Sequence, residues 1–166
     1  MIDPAAIRRA TAADVCAIDD IYNHYVRTST CTYQIEVEPL AERQAWFAEH
    51  DPARHPVTVA EHEGEIVGWA ALSPFRSREG YRRTVEDSVY VRHDRQGRGI
   101  GRALLADLVR RARALGHHTV IAGIDAEQRG SVVLHERQGF VHAGRCREVG
   151  FKFDRWLDLV FLELLL

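Results

Sequence analysis

The chain has only three cysteines, Cys16, Cys31 and Cys146, and no two of them share a CxxC spacing. A disulfide framework is therefore excluded, and reduced, mostly buried thiols are expected, as suits a cytoplasmic protein. Long apolar runs are also missing. The most apolar stretch, WLDLVFLELLL at 156–166, holds Asp158 and Glu163. It is far shorter than the ~20 residues of a spanning helix, so a buried or interface strand is expected. The opening MIDPAAIRRATAADV has no continuous apolar segment, which argues against a secretory signal. An excess of one charge is lacking too: the formal net charge is −2, which gives no general field for nucleic acid or anionic membranes. Metal-ligand spacing is absent. His117 and His118 are adjacent and cannot share an i, i+4 face, and the other histidines are dispersed, so no metal is expected. No repeat, low-complexity tract or Ser/Gly linker divides the 166 residues, and one domain over 1–166 is expected.

What is present reads as alternating helices and strands. AIRRA at 6–10 suits a short strand, and Thr11 with Asp14 resembles a capping box. The helix that box would open carries Val15, Ile18, Ile21, Tyr22 and Tyr25 as its apolar set. A second helix is expected after Pro39, with Leu40, Trp46 and Phe47 as its apolar residues. VTVAEHEGEIVGWAALSPF reads as a hairpin turning near Glu63 and Gly64, and TVEDSVYV as a central strand. A long helix follows on Ile100, Leu104, Leu105, Leu108, Val109, Ala112 and Leu115, with Gly116 in a C-cap position. TVIAGID, GSVVLHERQ and the remainder then give a strand, a short helix and two long strands. The fold class is α/β: a mixed sheet flanked by helices, in three layers.

RHDRQGRGIGRALL at 92–105 joins the central strand to the long helix. A P-loop needs Lys-Ser/Thr after its last glycine, whereas Gly101 is followed by Arg102 and Ala103. GxGxxG fits no register, since its third glycine would fall on Arg102 or Leu104. Gln96-x-x-Gly99-x-Gly101 at a helix start remains. Such a turn leaves helix N–H groups unpaired, adds positive dipole and lets a ligand approach closely. With Arg95, Arg98 and Arg102 around it, it suits a pyrophosphate; a tight loop with solvated arginines is the alternative.

RSREGYRRTVEDSVYV, this glycine pattern, GSVVLHERQGF and VGFKFDRWLDLVF, in that order along the chain, together resemble the GNAT N-acetyltransferase superfamily. The closest likeness is to its phosphinothricin and methionine sulfoximine acetyltransferase branch, and it covers nearly the whole chain. The resemblance implies a mostly antiparallel GNAT sheet, acetyl-CoA as cosubstrate, a homodimer, and transfer to the α-amine of a small amino acid or analogue in a ternary complex. Glu86 matches the proposed general base, and His135 or Tyr90 would protonate the departing thiolate. Val89, Tyr90 and Val91 would offer main-chain N–H groups to the thioester oxygen. Gln96, Gly97, Arg98, Gly99, Ile100, Gly101 and Arg102 would cradle the pyrophosphate. Ser131 would add a contact, while Gln128 stands where the family commonly has Asn. Arg76 and Arg78 would hold the acidic end of the substrate, with Tyr81, Tyr33 and Lys152 completing its pocket beside Glu86. Two other functions stay open: acetylation of a peptide Lys, N-terminus or polyamine, and a non-catalytic acetyl-CoA sensor.

Overall fold

A computed structural model describes residues 5–166. Its strands are β1 (Ala6–Arg9), β2 (Val57–His62), β3 (Glu65–Pro74), β4 (Thr84–Val91), β5 (Thr119–Asp125), β6 (Val141–Lys152) and β7 (Arg155–Leu165). They form one sheet in the order β1-β2-β3-β4-β5-β7-β6. Every pairing is antiparallel except β4 with β5. Helices α1 (Val15–Thr28) and α2 (Leu40–Glu49) cover one face, and α3 (Ile100–Ala114) and α4 (Arg129–Glu136) the other. No helix among the described residues is long and apolar enough to cross a membrane.

Period-2 and period-3.6 patterns explain the layers. Val120, Ala122 and Ile124 of β5 alternate into the core under α3, where Leu104, Leu105, Leu108 and Ala112 meet them. Trp69 and Ala71 of β3 face the other way, against Ile18, Ile21 and Tyr25 of α1. Glu63 and Gly64 both take left-handed φ, +53° and +79°, which suits a two-residue hairpin turn matched to strand twist. Thr11 N–H donates to Asp14 Oδ2 at 2.7 Å, the backbone half of the expected capping box. Arg8 forks onto the same carboxylate with two 2.8 Å bonds and, as the largest cause, holds its pKa down to about 2.

Two expectations need correction. Cys16 and Cys146 are exposed and only Cys31 is partly covered. Cys16 lies on the solvent side of α1, and Cys146 lies on β6, an edge strand exposed from Val141 to Val149. In α2 the buried residue is Arg43, 5% exposed, rather than Leu40. Its guanidinium lies 4.1 Å from the Tyr22 ring centroid, a cation–π arrangement that lets a charged side chain sit under an aromatic layer.

The feature that matters for function lies at the sheet's centre. β3 and β4 pair without a break from Gly68↔Val91 to Pro74↔Val85. β4 and β5 pair only at Thr84↔Thr119, Val85↔Val120 and Glu86↔Ile121. β5 then continues as the partner of β7, so among the described residues no strand lies beside the edge of β4 beyond Glu86. Exposed main-chain polar groups in the middle of a sheet call for another partner.

Candidate active site

The parting of β4 and β5 opens a cavity of about 970 Å³ that runs through the sheet and along the start of α3. Its rim on the α3 side is the glycine turn. Gly97 and Gly99 have φ of +74° and +82°, and a Cβ on either would meet nothing within 4 Å. Gly101 has no left-handed φ; a Cβ there would touch Leu134 and Val91 at 3.4 and 3.5 Å. Ala103 N–H closes the first turn of α3 on Gly99 O at 3.1 Å, so the N–H groups of Ile100, Gly101 and Arg102 stay at the cavity without an acceptor among the described residues. Arg95, Arg98 and Arg102 line the same region. Gln96 turns inward: its amide donates to Tyr25 Oη at 2.7 Å, and that hydroxyl donates to Val91 O. The Gln96 side chain therefore fastens the turn to α1.

Strand alternation separates the acids of β4. Glu86 emerges on the α1/α2 face and Asp87 on the α3/α4 face, and both line the cavity because the strands have parted between them. Burial raises the Glu86 pKa, the neighbouring Asp87 charge adds to the rise, and Arg76 pulls it back. Asp87 lies against His135, with Oδ2 and Nε2 3.0 Å apart; the other ring nitrogen lies 2.8 Å from Ser131 O. An imidazolium satisfies both of these acceptors. Burial lowers the His135 pKa, but the hydrogen bond and charge of Asp87 with the Ser131 carbonyl outweigh it, and the net direction is up.

That shift sets a pH dependence of stability. The unfolded ring titrates near ~6.5. Below that pH the raised folded value contributes fully, and the contribution is lost as pH climbs through the folded pKa. Compared with an Asp87→Asn/His135→Gln double variant, the protein should hold its largest thermal margin on the acid side. The margin should shrink by a few degrees on the alkaline side, the scale of about 1 kcal/mol in a domain of this size. A pH-independent margin in thermal melts would contradict the ion pair.

The other expected residues divide into two groups. Val89, Tyr90, Val91, Gln128, Ser131 and Tyr33 line the cavity. Tyr90 stacks on Trp69 at 4.8 Å and its hydroxyl reaches Cys31 O at 3.4 Å, on the α1 side. Gln128 donates to Thr30 Oγ1 at 3.1 Å, toward the segment after α1. The Tyr33 hydroxyl lies 3.0 Å from Asp125 Oδ2 and 3.1 Å from Asp158 O. The Tyr33 ring lies flush on Gly150, where any Cβ would overlap it. Arg76, Arg78, Tyr81 and Lys152 do not line this cavity. Arg76 lies over the Phe75 ring at 5.0 Å, near enough to Glu86 to act on its charge. Arg78 is exposed in the same loop, and Tyr81 packs edge-on against Phe75. Lys152 is 3% exposed, and its ammonium donates to Ser29 O and Thr32 O at 2.8 Å each. It ties the end of β6 to the loop that carries Tyr33.

Sequence reasoning missed Asp125, whose two oxygens take Tyr33 and the Glu127 N–H, and Gly123 beside Glu86. Strand alternation turns Asp87 away from the face of Glu86, and only the placement of His135 gives that acid a partner. A glycine inside the apolar run TVIAGID was the one available signal, since strand-interior glycine marks a close approach.

The cleft and sheet are those of an acetyltransferase, and residues 18–140 match the Acetyltransferase (GNAT) family. The chain belongs to that family and is an N-acetyltransferase. It is similar to the L-amino acid N-acyltransferase of Escherichia coli (strain K12), 43% identical over 159 residues, 96% of this chain and 92% of that one. The L-methionine sulfoximine/L-methionine sulfone acetyltransferase of Pseudomonas aeruginosa (strain PAO1) is 44% identical over 161 residues, 96% of this chain and 94% of that one. Among solved structures, a phosphinothricin acetyltransferase from Sinorhizobium meliloti in complex with AcCoA superposes with a TM-score of 0.95. It is 39% identical over 99% of this chain and 89% of that chain.

Proposed function

We propose that the protein transfers acetyl from acetyl-CoA to the α-amine of a small amino acid or analogue of the methionine sulfoximine or phosphinothricin type. The observation that carries this reading is the placement of Glu86: half-buried at the point where β4 and β5 part, beside Arg76, and on the same cavity as the glycine turn. The residues present fit acetyl-CoA. Three helix N–H groups and three arginines suit its pyrophosphate, and the unpaired edge of β4 suits its amide-bearing arm.

Acetyl-CoA supplies a thioester whose acetyl group forms an amide with the amine and leaves a free thiol. The chain's own part is to bind, orient and move protons. An ammonium has no lone pair, so Glu86 takes a proton from the amine, directly or through water, and needs to be ionised to do so. The register with β3 turns the main-chain N–H groups of Val89 and Val91 to the open edge of β4, where they face the charge that develops on the carbonyl oxygen, while that of Tyr90 points to β3. His135 and Tyr90 have their donors on acceptors within the chain. A thiolate is a good leaving group with a conjugate pKa of ~8.5, so no dedicated acid is required at neutral pH. In this reading His135 holds Asp87 and the open edge of β4. Arg76, outside the cavity lining but near enough to act on the Glu86 charge, is the better placed of the two loop arginines to receive the carboxylate, phosphinate or sulfoximine oxygens, with Arg78 further out in the same loop; a guanidinium fork is suited to them. Cys31 is the cysteine at the cavity, and burial pushes its thiol pKa up, which makes it a poor nucleophile, so direct attack in a ternary complex is favoured over an acyl-enzyme. Reduced thiols suit a cytoplasmic enzyme.

Exposed Val149, Phe151, Phe153 and Trp156 on the β6–β7 hairpin support a homodimer. Light scattering should give the mass of two chains, and a monomer at micromolar concentration would remove that part of the reading. The function itself is tested by the product. Incubation with L-methionine sulfoximine and acetyl-CoA should add one acetyl group at the α-nitrogen, read by NMR; acetylation elsewhere, or none, would overturn the assignment.

A further inference from the structure

The structure assigns Gly123 a positioning role: the absence of a side chain there makes the space in which the Glu86 carboxylate rests. This rests on the reading of Glu86 as the base. Glu86 is the last residue of β4 paired with β5, opposite Ile121. Alternation puts Thr119, Ile121, Gly123 and Asp125 on one face of β5, while Val120, Ala122 and Ile124 turn into the core beneath α3. Gly123 is thus the diagonal neighbour of Glu86, one pleat further into the gap, within reach of a long side chain. A Cβ at 123 would lie 3.0 Å from Glu86 Oε1, and its next neighbours, Phe161 Cε1 and Leu159 Cδ1, are at 3.7 and 4.0 Å. The carboxylate is the only close contact. The backbone of Gly123 has no left-handed φ, so conformation does not require glycine there. Glycine in a strand interior costs stability. What it gives here is room for one oxygen of Glu86, which otherwise has to turn away from the gap.

A methyl group at 123 would push the carboxylate off that floor. Gly123→Ala should therefore lower kcat several-fold, up to about tenfold, because the carboxylate has to shift by a few tenths of an ångström and a full ångström costs about 10²-fold. The dissociation constant for acetyl-CoA should stay within about twofold, inside ordinary surface-substitution scatter, and the melting temperature should hold or rise. The acid limb of the kcat–pH profile should move, because the burial and the Asp87 and Arg76 charges that set the Glu86 pKa are felt from a new position.

The decisive comparison uses a shorter acid. In a Glu86→Asp background the oxygen no longer reaches position 123, so adding Gly123→Ala should cost no more than about twofold. An equal penalty in both backgrounds would overturn the proposal, as would unchanged kcat and pH profile in Gly123→Ala. An acetyl-CoA constant that rises as far as kcat falls would also overturn it, since the methyl would then be obstructing the cosubstrate. Glu86→Gln separates the two layers. If that variant turns over normally, the base assignment fails, whatever Gly123 does. If it is inactive while Gly123→Ala is unaffected, the positioning role alone is lost.

Discussion

Glu86→Gln should reduce turnover at neutral pH by about 10²- to 10⁴-fold, the range for a positioned general base, and leave acetyl-CoA binding nearly unchanged. The amide fills the same space against Gly123 but cannot accept a proton. The wild-type profile should show an acid limb above the ordinary Glu value of ~4.3, because burial first and the Asp87 charge second raise this carboxyl. The sign follows from the role. The base works ionised, so kcat rises as pH climbs through the raised pKa, and the variant should lose that limb while retaining the fold. Stopped-time thiol release across pH 5–9 checks both features. Normal turnover by the variant across that range would assign the proton to another group or to bulk water.

Gly99→Val should raise the acetyl-CoA dissociation constant by roughly tenfold or more and spare the sheet. Two effects add. A β-branched residue held at φ +82° costs about 1–3 kcal/mol of strain, which distorts the turn or is relieved by leaving it. Its side chain also occupies the open space in front of three unpaired helix N–H groups, where a pyrophosphate would rest. Gly101 is the weaker test although it belongs to the same motif. Its φ is ordinary, and a larger side chain there would press on Leu134 and Val91 rather than on a ligand. Calorimetric titration with acetyl-CoA reads the outcome. Unchanged affinity in a folded Gly99→Val protein would remove the cradle.

Local punctuation made most of the elements legible. Pro39 precedes α2, Glu63 and Gly64 make the hairpin turn, and Gly116 closes α3 with φ +77°. The apolar stripe on α3 is the one the spacing gives, with Leu104, Leu105, Leu108 and Ala112 fully buried. Local pattern could not reveal how far β4 pairs with β5, because that depends on β7 capturing β5 from more than thirty residues downstream. The site's acids are equally hidden in part. Glu86 stands within a motif, but the Asp87–His135 pair joins residues 48 apart in sequence, and alternation alone only turns Asp87 away from the face of Glu86. Arg43 shows the same limit in the core: polarity predicts exposure, and the aromatic rings around it together with the Asp19 carboxylate explain its burial. The terminal strand pattern was legible, whereas the exposed flank of β6 reflects its edge position in the final strand order.

The most direct test of the whole account is free-thiol release from acetyl-CoA against a panel of amines, compared by kcat/KM. The panel should hold L-methionine sulfoximine, L-methionine sulfone, phosphinothricin, common amino acids, a polyamine and a Lys peptide. Saturable release with one of the first three, well above the polyamine and the peptide, is the predicted result. Preference for the peptide or polyamine, or tight acetyl-CoA binding with no release on any amine, would contradict it.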